Sequence, residues 1–140
     1  MDVFFSGSIR GGRSDVDLYA DLVEIIERHG TVLTEHVGVK DIEAKEEAEG
    51  LSDADIHDQD VAWLRQADCL VAEVSTPSLG VGYEIARAVE GETPVLCLYR
   101  PTANHDLSAM IRGSDAVSVL EYETPADVES ELEAFVQRHR

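Results

Sequence analysis

Cys69-Leu70-Val71-Ala72-Glu73-Val74 is a nearly continuous apolar run, followed at once by Ser75-Thr76-Pro77-Ser78-Leu79-Gly80-Val81-Gly82. A strand with one wet face alternates apolar and polar residues. A run apolar on both faces instead suits a central parallel strand covered by helices on either side. The breaker-rich octet behind it reads as a loop leading into a helix from about Gly82 to Glu90. Downstream, Pro94-Val95-Leu96-Cys97-Leu98-Tyr99 is a second buried strand and Val117-Ser118-Val119-Leu120 a further one. Upstream, Val3-Phe4-Phe5 ends in Ser6-Gly7, and Thr31-Val32-Leu33 is another short strand.

Helical patterns separate these strands. Ser14 caps a first helix, with Asp15 and Asp17 in its opening turn, where the helix dipole favours them. Leu18, Leu22, Ile25 and Ile26 recur at helical spacing, and Gly30 ends the element. Ser52 caps a helix running to about Ala67, with Ile56, Val61 and Leu64 apolar. Ser108 to Ile111 forms one turn. Thr124 and Pro125 are N-cap and N1 of a last helix that turns Val128, Leu132 and Phe135 inward. Residues 36–52 are charged and aperiodic, a mobile loop or a short exposed helix. Strands alternating with helices imply an α/β fold, a doubly wound parallel five-stranded sheet of flavodoxin/Rossmann-like type. The expected strand order is 2-1-3-4-5, in a single domain over residues 1–140.

Composition narrows the partners. Asp and Glu number 29 against 11 Lys and Arg, a formal net charge of −18. Such a surface repels nucleic acid polymers and anionic membranes. The basic residues include only two lysines, Lys40 and Lys45. An acidic, lysine-poor surface points to a halophilic protein in a salt-rich cytoplasm, where ionic strength screens self-repulsion. The melting temperature is then expected to rise between low salt and molar KCl; thermal scans across that range check it. No apolar run approaches the roughly 18 residues of a membrane span. The N-terminus has neither a basic region nor an extended apolar segment, so a cytoplasmic location is expected. Cys69 and Cys97 lie within apolar runs and read as free buried thiols. No ligand set has recognisable metal spacing, so no metal and no cofactor is expected.

In a sheet of this order, ligands bind beyond the carboxyl ends of the strands, at the point where the order reverses. That point lies between strands 1 and 3. The loop after strand 1 is Ser6-Gly7-Ser8-Ile9-Arg10-Gly11-Gly12-Arg13; the loop after strand 3 is the octet from Ser75 to Gly82. Both feed helix N-termini, whose free N–H groups favour an anion. Arg10 and Arg13 add forked positive charge suited to phosphate. Neither loop has the Walker A or dinucleotide-binding pattern, so a sugar phosphate fits better than a triphosphate or dinucleotide. Glu84, placed in the first turn of its helix, is expected to stay ionised under the dipole. Asp60 lies on the preceding helix. An acid and a carboxylate together are the minimum for glycosidic cleavage through an oxocarbenium-like state. His36 and His57 are ambiguous from the residues alone.

Gly7-Ser8-Ile9-Arg10-Gly11-Gly12-Arg13, Leu33-Thr34-Glu35-His36-Val37, Gln59-Asp60, Ala72-Glu73-Val74, Pro77 to Glu84, and Leu107-Ser108-Ala109-Met110-Ile111-Arg112-Gly113 follow one another along the chain. Together they closely resemble the 2′-deoxynucleoside 5′-monophosphate N-hydrolases of the nucleoside 2-deoxyribosyltransferase superfamily. The resemblance implies that Glu84 is the nucleophile on the anomeric carbon and that Asp60 handles the proton of the leaving base or attacking water. It implies that Ser8, Arg10, Ser78 and Gly80 hold the 5′-phosphate, with Gly11 and Arg13 in the same loop, and that His36 and Ile9 lie near the base. Ser108, with Met110 beside it, is implied to reach the neighbouring active site of a homodimer. The family's tyrosine next to the nucleophile is replaced by Phe4, so a hydroxyl partner for Glu84 is expected to be missing.

The leading function is hydrolysis of the N-glycosidic bond of a deoxynucleoside monophosphate through a covalent glutamyl sugar. The alternatives are a deoxyribosyltransferase on unphosphorylated nucleosides, a ribonucleotide N-glycosidase, and a non-catalytic nucleotide sensor. A phosphoacceptor signalling domain shares the fold but needs an acidic pair after strand 1 and a lysine after strand 5; Ser6-Gly7 and Glu121-Tyr122 supply neither.

Overall fold

The computed structural model describes residues 1–8, 15–34 and 49–140. Expectations for Ser14 and for residues 36–48 lie outside the described residues. The described elements are β1 (Asp2–Ser6), α1 (Val16–Glu27), β2 (Thr31–Val32), α2 (Asp53–Gln66), β3 (Cys69–Glu73), α3 (Leu79–Glu90), β4 (Val95–Tyr99), α4 (Ala109–Arg112), β5 (Val117–Glu121) and α5 (Glu129–Arg138). A 3₁₀ turn, Pro125–Val128, leads into α5, and Thr124 caps it through a reciprocal bond with Asp127. The five strands are all parallel, in the order β2-β1-β3-β4-β5.

Every residue of β3 and β4 is buried, as their nearly continuous apolar runs require of central strands. β2, at an edge, is only two residues long. β5, at the other edge, is wholly half-buried or exposed.

Strand parity divides the interior into two cores. Val3, Phe5, Val71, Leu96 and Leu98 face α1 and α5, packing on Leu22, Ile26, Leu132 and Phe135. Phe4, Leu70, Ala72, Val95 and Cys97 face α2 and α3, packing on Leu64, Val81, Ile85 and Ala88. Full burial of each large apolar side chain contributes about 2 kcal/mol. Gly30 closes the α1–β2 connection where a Cβ would stand 2.7 Å from the Met1 carbonyl oxygen. Cys69 and Cys97 are free and buried, and burial pushes both thiols up to about 12, which makes them inert. Among the described residues no helix is long and apolar enough to cross a membrane.

Candidate active site

Parity also aims the first polar side chain of β1. Ser6 shares its face with Phe4, the face covered by α2 and α3. It is 2% exposed, and its hydroxyl donates to Glu84 Oε1 at 2.9 Å. Phe4 itself is core, so the hydroxyl expected to be missing is supplied by Ser6, two residues further along the same face. No sequence motif marked Ser6; the available signal was a small polar residue ending an apolar strand at the sheet's switch point.

Glu84 is the sixth residue of α3, not part of its first turn. The helix expected from about Gly82 begins at Leu79, because the Ser78 hydroxyl accepts from the Val81 N–H at 3.4 Å and so caps it. Gly80 and Gly82 are therefore helical despite their weak propensity. The displacement reverses the expected ionisation. A helix dipole acts mainly on its terminal turn. Glu84 instead feels burial first and the negative Asp60 second, which push its carboxyl up to about 8, while the Ser6 hydrogen bond pulls it down. At pH 7 only about a tenth of such a group is ionised. The expectation of a dipole-held carboxylate is thus corrected: burial and Asp60 favour the protonated form of Glu84 at neutral pH.

Asp60, half-buried on α2, is near enough for its charge to be felt at Glu84. The two helices are tied together beside this pair. The Arg87 Nε–H donates to the Tyr83 hydroxyl at 3.0 Å, and that hydroxyl lies 3.1 Å from His57 Nε2. His57 Nδ1 is 2.9 Å from Asp58 Oδ1. His57 therefore joins α2 to α3 one turn before Asp60, a tie that spacing along the chain could not reveal.

The remaining expected residues divide into three groups. Ser8 is buried two residues beyond Ser6, its backbone N–H donating to the Tyr19 hydroxyl at 3.2 Å. Ser78 and Gly80 open the helix that carries Glu84. Ile9, Arg10, Gly11, Arg13 and His36 lie outside the described residues. Ser108 and Met110 are exposed at the start of α4. They line an apolar groove of about 750 Å³ together with Ser78, Leu79, Val81 and Ile85, and Glu84 does not line it. Within one chain, then, Ser108 faces a different side of α3 from the carboxylate pair.

The Ser6 hydrogen bond makes a specific demand. It stabilises the ionised form of Glu84, so in Ser6→Ala the proton is held more tightly. The rate–pH profile is expected to move to higher pH, and kcat/KM at pH 7 to fall about three- to tenfold. Steady-state rates across pH 6–10 measure both.

Comparison with known proteins follows the same lines. A profile of the family described as nucleoside 2-deoxyribosyltransferase matches residues 3–134. The chain is 55% identical over 115 residues to the 5-hydroxymethyl-dUMP N-hydrolase of Tetraodon nigroviridis, covering 82% of this chain and 81% of the relative. It is 49% identical over 140 residues to the 5-hydroxymethyl-dUMP N-hydrolase of Homo sapiens, covering 98% of this chain and 78% of that one. The solution structure of BlsM superposes with a TM-score of 0.73 at 21% identity, covering 98% of this chain and 90% of BlsM, a likeness of fold alone.

Proposed function

The chain belongs to the nucleoside 2-deoxyribosyltransferase family, and from that premise we propose that it hydrolyses the N-glycosidic bond of 2′-deoxynucleoside 5′-monophosphates, 5-hydroxymethyl-dUMP among them. The products are the free base and 2-deoxyribose 5-phosphate. The observation that carries the reading is the Glu84–Asp60 pair at the switch point of the sheet, with the Ser6 hydroxyl donating to Glu84 Oε1 at 2.9 Å and the Asp60 charge opposing its ionisation. The names of the relatives support the substrate class.

Burial and the charge of Asp60 favour a proton on Glu84 up to about pH 8. The reaction needs one proton and one carboxylate. With substrate bound, the proton passes to Asp60 and Glu84 becomes the carboxylate. A Glu84 oxygen forms a bond to the anomeric carbon as the C1′–N bond breaks. The bond's electrons leave with the base, which takes the proton from Asp60. Asp60 then accepts a proton from water, whose oxygen bonds to C1′ and releases Glu84. Ser6 holds the attacking oxygen in place. By the resemblance to the family, the 5′-phosphate falls to Ser8, Arg10, Ser78 and Gly80, with Gly11 and Arg13 in the same loop, and the base to Ile9 and His36.

The active form in this reading is a homodimer. The apolar groove beside α3, with Leu79 97% and Met110 83% exposed, supports a partner surface there. Ser108 on its rim then reaches the partner's phosphate. The functional test is incubation with 5-hydroxymethyl-dUMP, the four common deoxynucleoside monophosphates, their ribo counterparts and the unphosphorylated deoxynucleosides. Base release is followed by chromatography. Release from the deoxy monophosphates is expected; no free base from any of them would dismiss the reading.

A further inference from the structure

The other face of β3 carries a buried carboxyl group that the reaction does not use. Glu73, the last residue of β3, is fully buried on the α1/α5 side. It accepts from the Ser75 N–H at 2.6 Å, from the Ser75 hydroxyl at 3.1 Å, and from the Tyr122 hydroxyl. The guanidinium of Arg100, just past β4, stands 3.7 Å from it. The same guanidinium donates to Asp15 Oδ2 at 2.7 Å, and the Arg100 N–H donates to the Ser75 hydroxyl at 2.9 Å. The Thr76 hydroxyl also donates to Asp15 Oδ2, at 3.1 Å.

These partners come from four places at the carboxyl edge of the sheet. Asp15 is the N-cap of α1, where the loop after β1 ends. Ser75 and Thr76 begin the loop after β3, two to three residues before Ser78. Arg100 and Tyr122 follow directly on β4 and β5. Burying such ions costs several kcal/mol apiece, and an apolar replacement of similar volume is often no less stable. Stability therefore does not account for the chain of charges. What it does is join Asp15, at the end of the loop after β1, to Ser75 and Thr76 at the start of the loop after β3.

We propose that the Glu73–Arg100–Asp15 chain, closed by Tyr122 and Thr76, sets the separation of the two phosphate loops. Its members are thus positioning residues for 5′-phosphate recognition, acting through Ser8 and Ser78. The inference rests on the phosphate reading given above. Asp15→Asn and the milder Thr76→Val test it; Thr76 is half-buried and the second change preserves its shape. Each variant is expected to raise KM for a deoxynucleoside monophosphate about tenfold while kcat stays within about threefold. Binding of inorganic phosphate, read by calorimetry, is expected to weaken by a similar factor. Because both act on one link, the double variant is expected to be little worse than the weaker single one. A network that only supports the fold would lower the melting temperature and leave KM and phosphate affinity at the parent's values; that result overturns the proposal alone. A parent protein that neither binds phosphate nor prefers nucleotide over nucleoside overturns the phosphate reading as well.

Discussion

Glu84→Gln is expected to abolish base release, with kcat/KM falling about a thousandfold or more, because in the proposed mechanism Glu84 forms the bond to C1′. The same change is expected to stabilise the empty protein, and the sign follows from linkage. The Glu84 carboxyl ionises near 4.5 in the unfolded chain but only at about 8 in the folded one. The unfolded state therefore gives up this proton first. The stability that Glu84 contributes is whole below pH 4.5 and is lost as pH rises through about 8. Glutamine has no proton to lose. Its advantage in melting temperature should be absent at pH 4.5, grow with pH and level off above about 8. Parallel thermal scans and rate measurements check both halves. An active variant would remove Glu84 from the chemistry, and a variant less stable at pH 9 would contradict the buried, charge-opposed environment.

Asp60→Asn is expected to produce the second largest effect, a fall of about a hundredfold in kcat/KM, through loss of proton transfer to the base. It should also change the shape of the pH profile. In the proposed mechanism the parent needs the proton that Glu84 holds below about pH 8, so its rate is expected to decline as pH rises through that value. Without Asp60 the charge opposing Glu84 is gone and its carboxyl ionises at lower pH. Residual activity then follows ionisation of Glu84 alone and rises with pH to a plateau. A reversal of slope between parent and variant is a signature that simple misfolding cannot imitate. A variant with the parent's profile would mean that Asp60 holds no part of the shared proton.

Much of the arrangement was legible before any coordinates. The nearly continuous apolar runs at Cys69–Val74 and Pro94–Tyr99 identified the central strands, because a strand covered on both faces has room for few polar residues. The capping residues Ser52 and Thr124 marked helix starts that the structure reproduces. Ser78 was not read as an N-cap because the glycines at 80 and 82 imitate a loop, and propensity is a weaker influence than a satisfied N-cap within a packed βα unit. That error of three residues moved Glu84 out of reach of the helix dipole and left its ionisation to burial and to Asp60.

Local pattern and spacing by themselves determined the strand order and the two loops at the switch point, while the resemblance to a known family made Glu84 and Asp60 the acids to watch. The strand order and the loops follow from short-range periodicity and from the handedness of strand–helix–strand connections, both written in neighbouring residues. The tertiary structure alone decided that Ser6 rather than an aromatic hydroxyl holds Glu84, that burial and Asp60 favour a proton on Glu84, and that Tyr83 bridges His57 and Arg87. It alone joined Glu73 to Arg100 and Asp15. Desolvation and hydrogen bonding depend on which side chains meet across 26 to 85 residues of chain, and no local pattern encodes such meetings.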